Sequence, residues 1–76
     1  MTSSLVRTAF ETVAPHISNL EEMKRLVNEI EKISESLDSV IHELETRMDN
    51  AEVTFRTDIR ILINECRHLG KRTTHR

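Results

Sequence analysis

Cys66 and His68 are the residues whose types come nearest to metal or nucleophile chemistry. A structural zinc takes four ligands, and residues two apart on a helix point to different faces. The other histidines, His16, His42 and His75, are scattered along the chain. A nucleophilic thiolate needs a base, an orienting group and a pocket, and the sequence supplies Cys66 with none of them. The carboxylates follow charged-face spacing, with Glu21–Arg25 and Glu43–Arg47 four apart, which stabilises a helix rather than building a site. A single glycine leaves no Gly-rich phosphate loop. The sequence therefore assigns no catalytic residue, no metal ligand and no cofactor, and the chain reads as not an enzyme. Cys66 is expected to be a small buried side chain.

The organising signal is an apolar repeat of seven. Stepping from Val6 gives Val13, Leu20, Val27, Ser34, Ile41, Met48, Phe55, Leu62 and Leu69, all apolar except Ser34. Three residues on, Met23, Ile30, Leu37, Leu44 and Ala51 form an unbroken apolar set. A repeat this long draws a seam along an α-helix, and another helix must cover it. Leu26, Ile33 and Val40 precede the first set and widen the stripe on one flank, whereas Lys24, Glu31, Asp38, Glu45 and Glu52 charge the other. A stripe this wide calls for several neighbours, so a bundle is favoured over a two-stranded coil. After Phe55 the face continues as Ile59, Leu62, Cys66 and Leu69, reached through a stutter at Ala51–Phe55–Ile59. The three-apart positions fail at Asp58 and Glu65. Ser34 is expected to bond to its own helix while Ile33 carries the packing, the alternative being that a buried polar seam residue disfavours wrong registers.

With 76 residues, one Gly, one Pro, two Phe and neither Trp nor Tyr, the chain is poor in the usual material of a compact core. Residues 1–55 hold 5 basic and 11 acidic side chains, a net charge of −6, and residues 56–76 hold 6 basic and 2 acidic, a net charge of +4. Opposed ends favour antiparallel association. Most of the length would repel phosphate and no aromatic platform accompanies the basic end, so nucleic acid is not an expected partner. One cysteine forms no internal disulfide, no apolar run is long enough to span a bilayer, and MTSSLVRTAF has no signal-peptide core. The expected location is the cytoplasm, or the cytosolic face of an organelle.

The fold class is all-α: a long amphipathic helix forming a coiled coil or helical bundle, with a short helix before Pro15. Residues 1–15 form an N-terminal arm with Ser3 or Ser4 as cap and a face of Leu5, Val6, Ala9, Phe10 and Val13. Pro15 interrupts. Because Val6, Val13 and Leu20 stay in phase, a kink is favoured over a turn, with His16 at the kink. Ser18 and Glu21 then fit a capping box. Residues 16–69 form the main helix; uninterrupted from Ser18 to Leu69 it would be roughly 78 Å long. A break near Asp49–Asn50, with Asp49 as cap, is the competing arrangement. Gly70 falls at the natural C-cap, and residues 70–76 form a basic tail.

The segment Asn19-Leu20-Glu21-Glu22-Met23-Lys24-Arg25-Leu26 and the heptads through Leu44 resemble the small coiled-coil subunits of two assemblies, those for biogenesis of lysosome-related organelles and for lysosome positioning. The likeness covers about half of the chain. Small kinetochore and tethering-complex subunits share the pattern. The resemblance implies a non-enzymatic subunit that folds with several short helical partners.

The expected function is a structural or adaptor subunit whose interface is Leu20, Met23, Leu26, Val27, Ile30, Ile33, Leu37, Val40, Ile41, Leu44, Met48, Ala51, Phe55, Ile59, Leu62, Cys66 and Leu69. Its partners are protein helices, from unlike subunits or from copies of itself as an oligomeric scaffold. The alternative is a peripheral membrane module using the basic amphipathic segment 56–72.

Overall fold

α1 spans Leu5–Val13, and its apolar positions Val6, Ala9, Phe10 and Val13 are all buried. A 3₁₀ turn, Ala14–His16, carries Pro15 near its start, where a missing N–H does no harm. Ile17 is then extended and buried. The chain turns back here instead of kinking. Arg7, early in α1, donates to both carboxylate oxygens of Glu31 at 3.1 and 2.7 Å and to Asn28 Oδ1, late in the next helix. The in-phase spacing of Val6, Val13 and Leu20 therefore belongs to two helices running in opposite directions. The structure, a computed structural model, describes residues 5–34 and 36–74, with side chains described as far as Lys71. The expected Ser3 or Ser4 cap lies outside this range.

α2 covers Leu20–Ile33, with Glu21 and Glu22 in its first turn and Lys32 in its last, each at the end its charge favours. It buries Met23, Leu26, Val27 and Ile30. Its expected capping box does not form. Asn19 takes the cap position, and no side chain of the segment itself satisfies the first amides. The two residues just before the helix are instead held by a carboxylate about 40 residues downstream. Asp58 Oδ1 accepts from Ser18 N at 3.1 Å, and Oδ2 accepts from Asn19 N at 2.9 Å and Asn19 Nδ2 at 3.0 Å. Asp58 is 2% exposed, the only charged residue among the described buried ones. A carboxylate with three charge-assisted donors tolerates that burial.

α2 stops at Ser34, whose backbone is extended (φ −110°, ψ 135°). The expected bond of Ser34 to its own helix and the packing role of Ile33 do not hold. Ile33 is 58% exposed and Ser34 Oγ is buried with no hydrogen-bond partner. Ser36 restarts the helix by accepting from Ser39 N at 3.2 Å, and α3 runs Leu37–Asp49. Clustered serines compete locally for backbone groups, which favours an end and a new cap over a continuous helix. The chain turns again at Asn50–Glu52 through Asn50 N→Arg47 O and Ala51 N→Met48 O, both 3.2 Å. Asp49 is the last residue of α3 and not a cap.

α4 spans Val53–Thr74 and packs against both α1 and α3. Gly70 is not its C-cap: the helix passes through it, with no positive φ. Glycine is there for space. A Cβ at Gly70 would overlap Leu37 Cδ2, so the last turns of α4 lie close to the first turn of α3.

The expected rod over residues 16–69 is thus three helices, and the N-terminal arm is the fourth wall of one core. Val6, Met23, Val27, Ile30, Leu44, Ile59, Leu62 and Cys66 are buried together, drawn from all four helices. The radius of gyration is 11.5 Å and the longest extent 37 Å. A closed globule of this length has a radius of about 11.4 Å. Each fully buried Leu, Ile or Val contributes about 1.5–3 kcal/mol, and here one chain supplies both sides of those contacts.

Two predictions follow from this packing. Asp58→Ala strands two backbone amides at the start of α2 and should lower the free energy of unfolding by about 2–3 kcal/mol, with faster hydrogen exchange at Ser18 and Asn19. A loss below about 0.5 kcal/mol would show that the α2–α4 clamp is not stabilising. Gly70→Ala should destabilise the wild-type chain, but in a Leu37→Ala background it should stabilise by up to about 1 kcal/mol from helix propensity alone. An equal effect in both backgrounds would contradict the steric role of Gly70.

Candidate protein-interaction surface

The seventeen residues expected at an interface separate into three groups. Met23, Leu26, Val27, Ile30, Val40, Leu44, Ile59, Leu62 and Cys66 are buried in the chain's own core. Leu37, Ile41, Met48, Ala51, Phe55 and Leu69 are half-buried and pack against that core from outside. Leu20 and Ile33 are exposed. The widened stripe does meet several helices, but they are neighbours in the same polypeptide. The apolar face of segment 56–72 likewise turns inward, with Ile59, Leu62, Ile63 and Cys66 buried.

The half-buried group leads to a cleft. It is a cavity of about 510 Å³ between α2 and the α3–α4 turn, floored by Leu26, Ala51 and Phe55. Glu22, Arg25 and Glu29 rise on the α2 side, and Arg47, Asn50, Glu52 and Thr54 on the other. Arg47 spans the gap, donating to Glu29 Oε1 at 3.0 Å and lying 3.7 Å from Glu43 on its own helix. A shallower hollow of about 410 Å³ at the start of α2 shares Asn19, Glu22 and Arg25 and adds Leu20. Leu20 is 38% exposed, and Val53, beside Glu52 and Thr54, is 73% exposed. An aromatic half-sunk in a floor, with mixed charges around it, is the usual anatomy of a protein-binding patch.

The same end of the molecule is held in place by Asp58, because Asn19, which it grips, also lines the cleft. Asp58 was visible in the sequence only as a carboxylate at a position where the seam called for an apolar residue. A partner 39 residues away carries no local signature. Val53 lies off the heptad seam, and its exposure comes from its place in the first turn of α4.

The residues considered for chemistry do not converge. His16, His42 and His68 are exposed on separate helices, and His75 lies outside the described residues. Among the described residues no group of three or more His, Cys, Asp or Glu is placed to hold a metal ion, and no helix is long and apolar enough to cross a membrane. Cys66 is fully buried, and burial pushes its thiol up to about 11, with the nearby Glu65 charge adding to the shift. The Glu31 carboxylate, hydrogen-bonded to Arg7, raises the already high pKa of that guanidinium. Comparison with protein-family models, curated proteins and solved structures finds no match for this chain.

The thiol gives a prediction with a definite sign. The folded state keeps its proton between about pH 9 and 11 while the unfolded chain releases it. Stability from this group is complete below pH 9 and declines as pH rises towards 11. At pH 8 the folded chain should react with iodoacetamide about 100-fold more slowly than the unfolded chain, by thiolate fraction alone. Equal rates would show that Cys66 is not enclosed.

Proposed function

We propose that the protein is a non-enzymatic helical adaptor, a subunit that joins a multi-protein assembly by receiving a partner's helix in the cleft between α2 and the α3–α4 turn. The observation that carries this reading is the half-buried Phe55 on an apolar floor with Leu26 and Ala51, with exposed Leu20 lining the adjoining hollow and exposed Val53 two residues before Phe55 in the chain. An amphipathic helix presenting three or four apolar residues fills such a groove, and the flanking Glu22, Arg25 and Glu52 set its orientation. The resemblance of Asn19–Leu26 and the following heptads to small subunits of lysosome-related and lysosome-positioning assemblies supports an organelle-trafficking setting on the cytosolic side of a membrane. The partner surface is smaller than the full stripe, because the chain itself covers most of that stripe.

Affinity purification with tagged chains tests this reading. The wild type should retain a defined partner set in stoichiometric amount. Leu20→Asp/Val53→Asp should lose it, with a circular dichroism spectrum and melting midpoint within a few degrees of wild type, since both side chains are exposed. Retention of the same partners by the double variant would contradict the proposed surface.

A further inference from the structure

The α3–α4 turn has an unusual relation to the helices it joins. From Leu37 onward the apolar positions are 37, 41, 44, 48, 51, 55, 59, 62, 66 and 69, in steps of three and four that keep one helix face, with a single stutter at 51–55–59. That phase runs directly through Ala51, inside the turn. A hairpin of two packed helices does not require it, since each arm must only face the other. A continuous helix from Leu37 to Thr74 does require it.

The turn is also built from residues that tolerate helix. Asn50-Ala51-Glu52 contains neither Gly nor Pro, and Asn50 has φ −103° and ψ 5°. No described non-glycine residue has a positive φ. The turn's hydrogen bonds reach back three residues, one short of the α pattern.

We infer that the α3–α4 turn is a hinge through which two copies of this chain exchange α4, forming a dimer in which α3 and α4 fuse into one helix. The fused helix would be about 57 Å long. In that dimer the α4 of one copy lies against α1 and α3 of the other, so Ile59, Leu62 and Cys66 are covered as they are in the single chain. Asp58 then accepts from Ser18 and Asn19 of the second copy. The charges allow it. Residues 1–55 carry −6 and residues 56–76 carry +4, so the exchanged segment meets an oppositely charged surface, as it does within one chain. Only the turn differs between the two states. Their balance is set by protein concentration and by the helix preference of residues 50–52.

The test compares three full-length chains by size-exclusion chromatography with light scattering after refolding at high concentration. They are the wild type, Asn50→Ala/Glu52→Ala, and a chain with two glycines inserted between Asn50 and Ala51. The alanine variant should raise the dimer association constant about tenfold over wild type, and the glycine insertion should leave monomer. In ¹⁵N amide spectra the dimer should keep the monomer's shifts at Ile59, Leu62 and Cys66 and change at residues 49–53. No dimer in any chain would overturn the inference, as would equal dimer in all three or shifts confined to a surface such as Leu20. Should the alanine variant fail to fold, the wild type against the glycine insertion decides the same question.

Discussion

The structure depends on the burial of α4 between α1 and α3. An apolar face carrying Ile59, Leu62, Ile63 and Cys66 must be removed from water, and a 76-residue chain has few ways to do it. Three turns, the first carrying Pro15 and the other two without glycine or proline, bring α1, α2 and α3 around that face. Asp58 then fixes the angle by holding the start of α2 to the second turn of α4. A polar residue at a seam position disqualified this stretch from a simple coiled coil. In the folded chain it joins the start of α2 to α4 across about 40 residues of sequence.

Helix content and the identity of the core were legible from periodicity. Met23, Val27, Ile30, Leu44, Leu62 and Cys66 are where a 3.6-residue period puts them. The ends of the helices were not legible, for a physical reason. Apolar phase reports which side of a helix is greasy, and it persists whether the helix continues or folds back after a turn. Between Met48 and Phe55 the phase is unbroken although the chain reverses. Between Val27 and Ile41 the one polar seam residue, Ser34, marked the break, but a serine is equally at home inside a helix facing a partner. Gly70 showed the converse: a residue typical of helix ends sits inside a helix, because Leu37 needs its space.

The same burial narrows the function. A stripe of seventeen residues open to partners would make an obligate subunit with no folded state of its own. With that stripe mostly covered from within, the large apolar side chains left exposed among the described residues are Leu20, Ile33 and Val53, which fits the proposed adaptor that folds first and binds afterwards. That order of events separates a preformed docking module from a segment that acquires structure on assembly, and it turns on whether the core closes within one chain.

Small-angle X-ray scattering of the isolated protein, extrapolated to low concentration, tests that closure most directly. The account predicts a particle of one chain's mass, 8.9 kDa, with a radius of gyration near 11.5 Å. A rod-like profile, or an expanded coil with a radius more than twice that value (about 27 Å for an unfolded chain of this length), would contradict it.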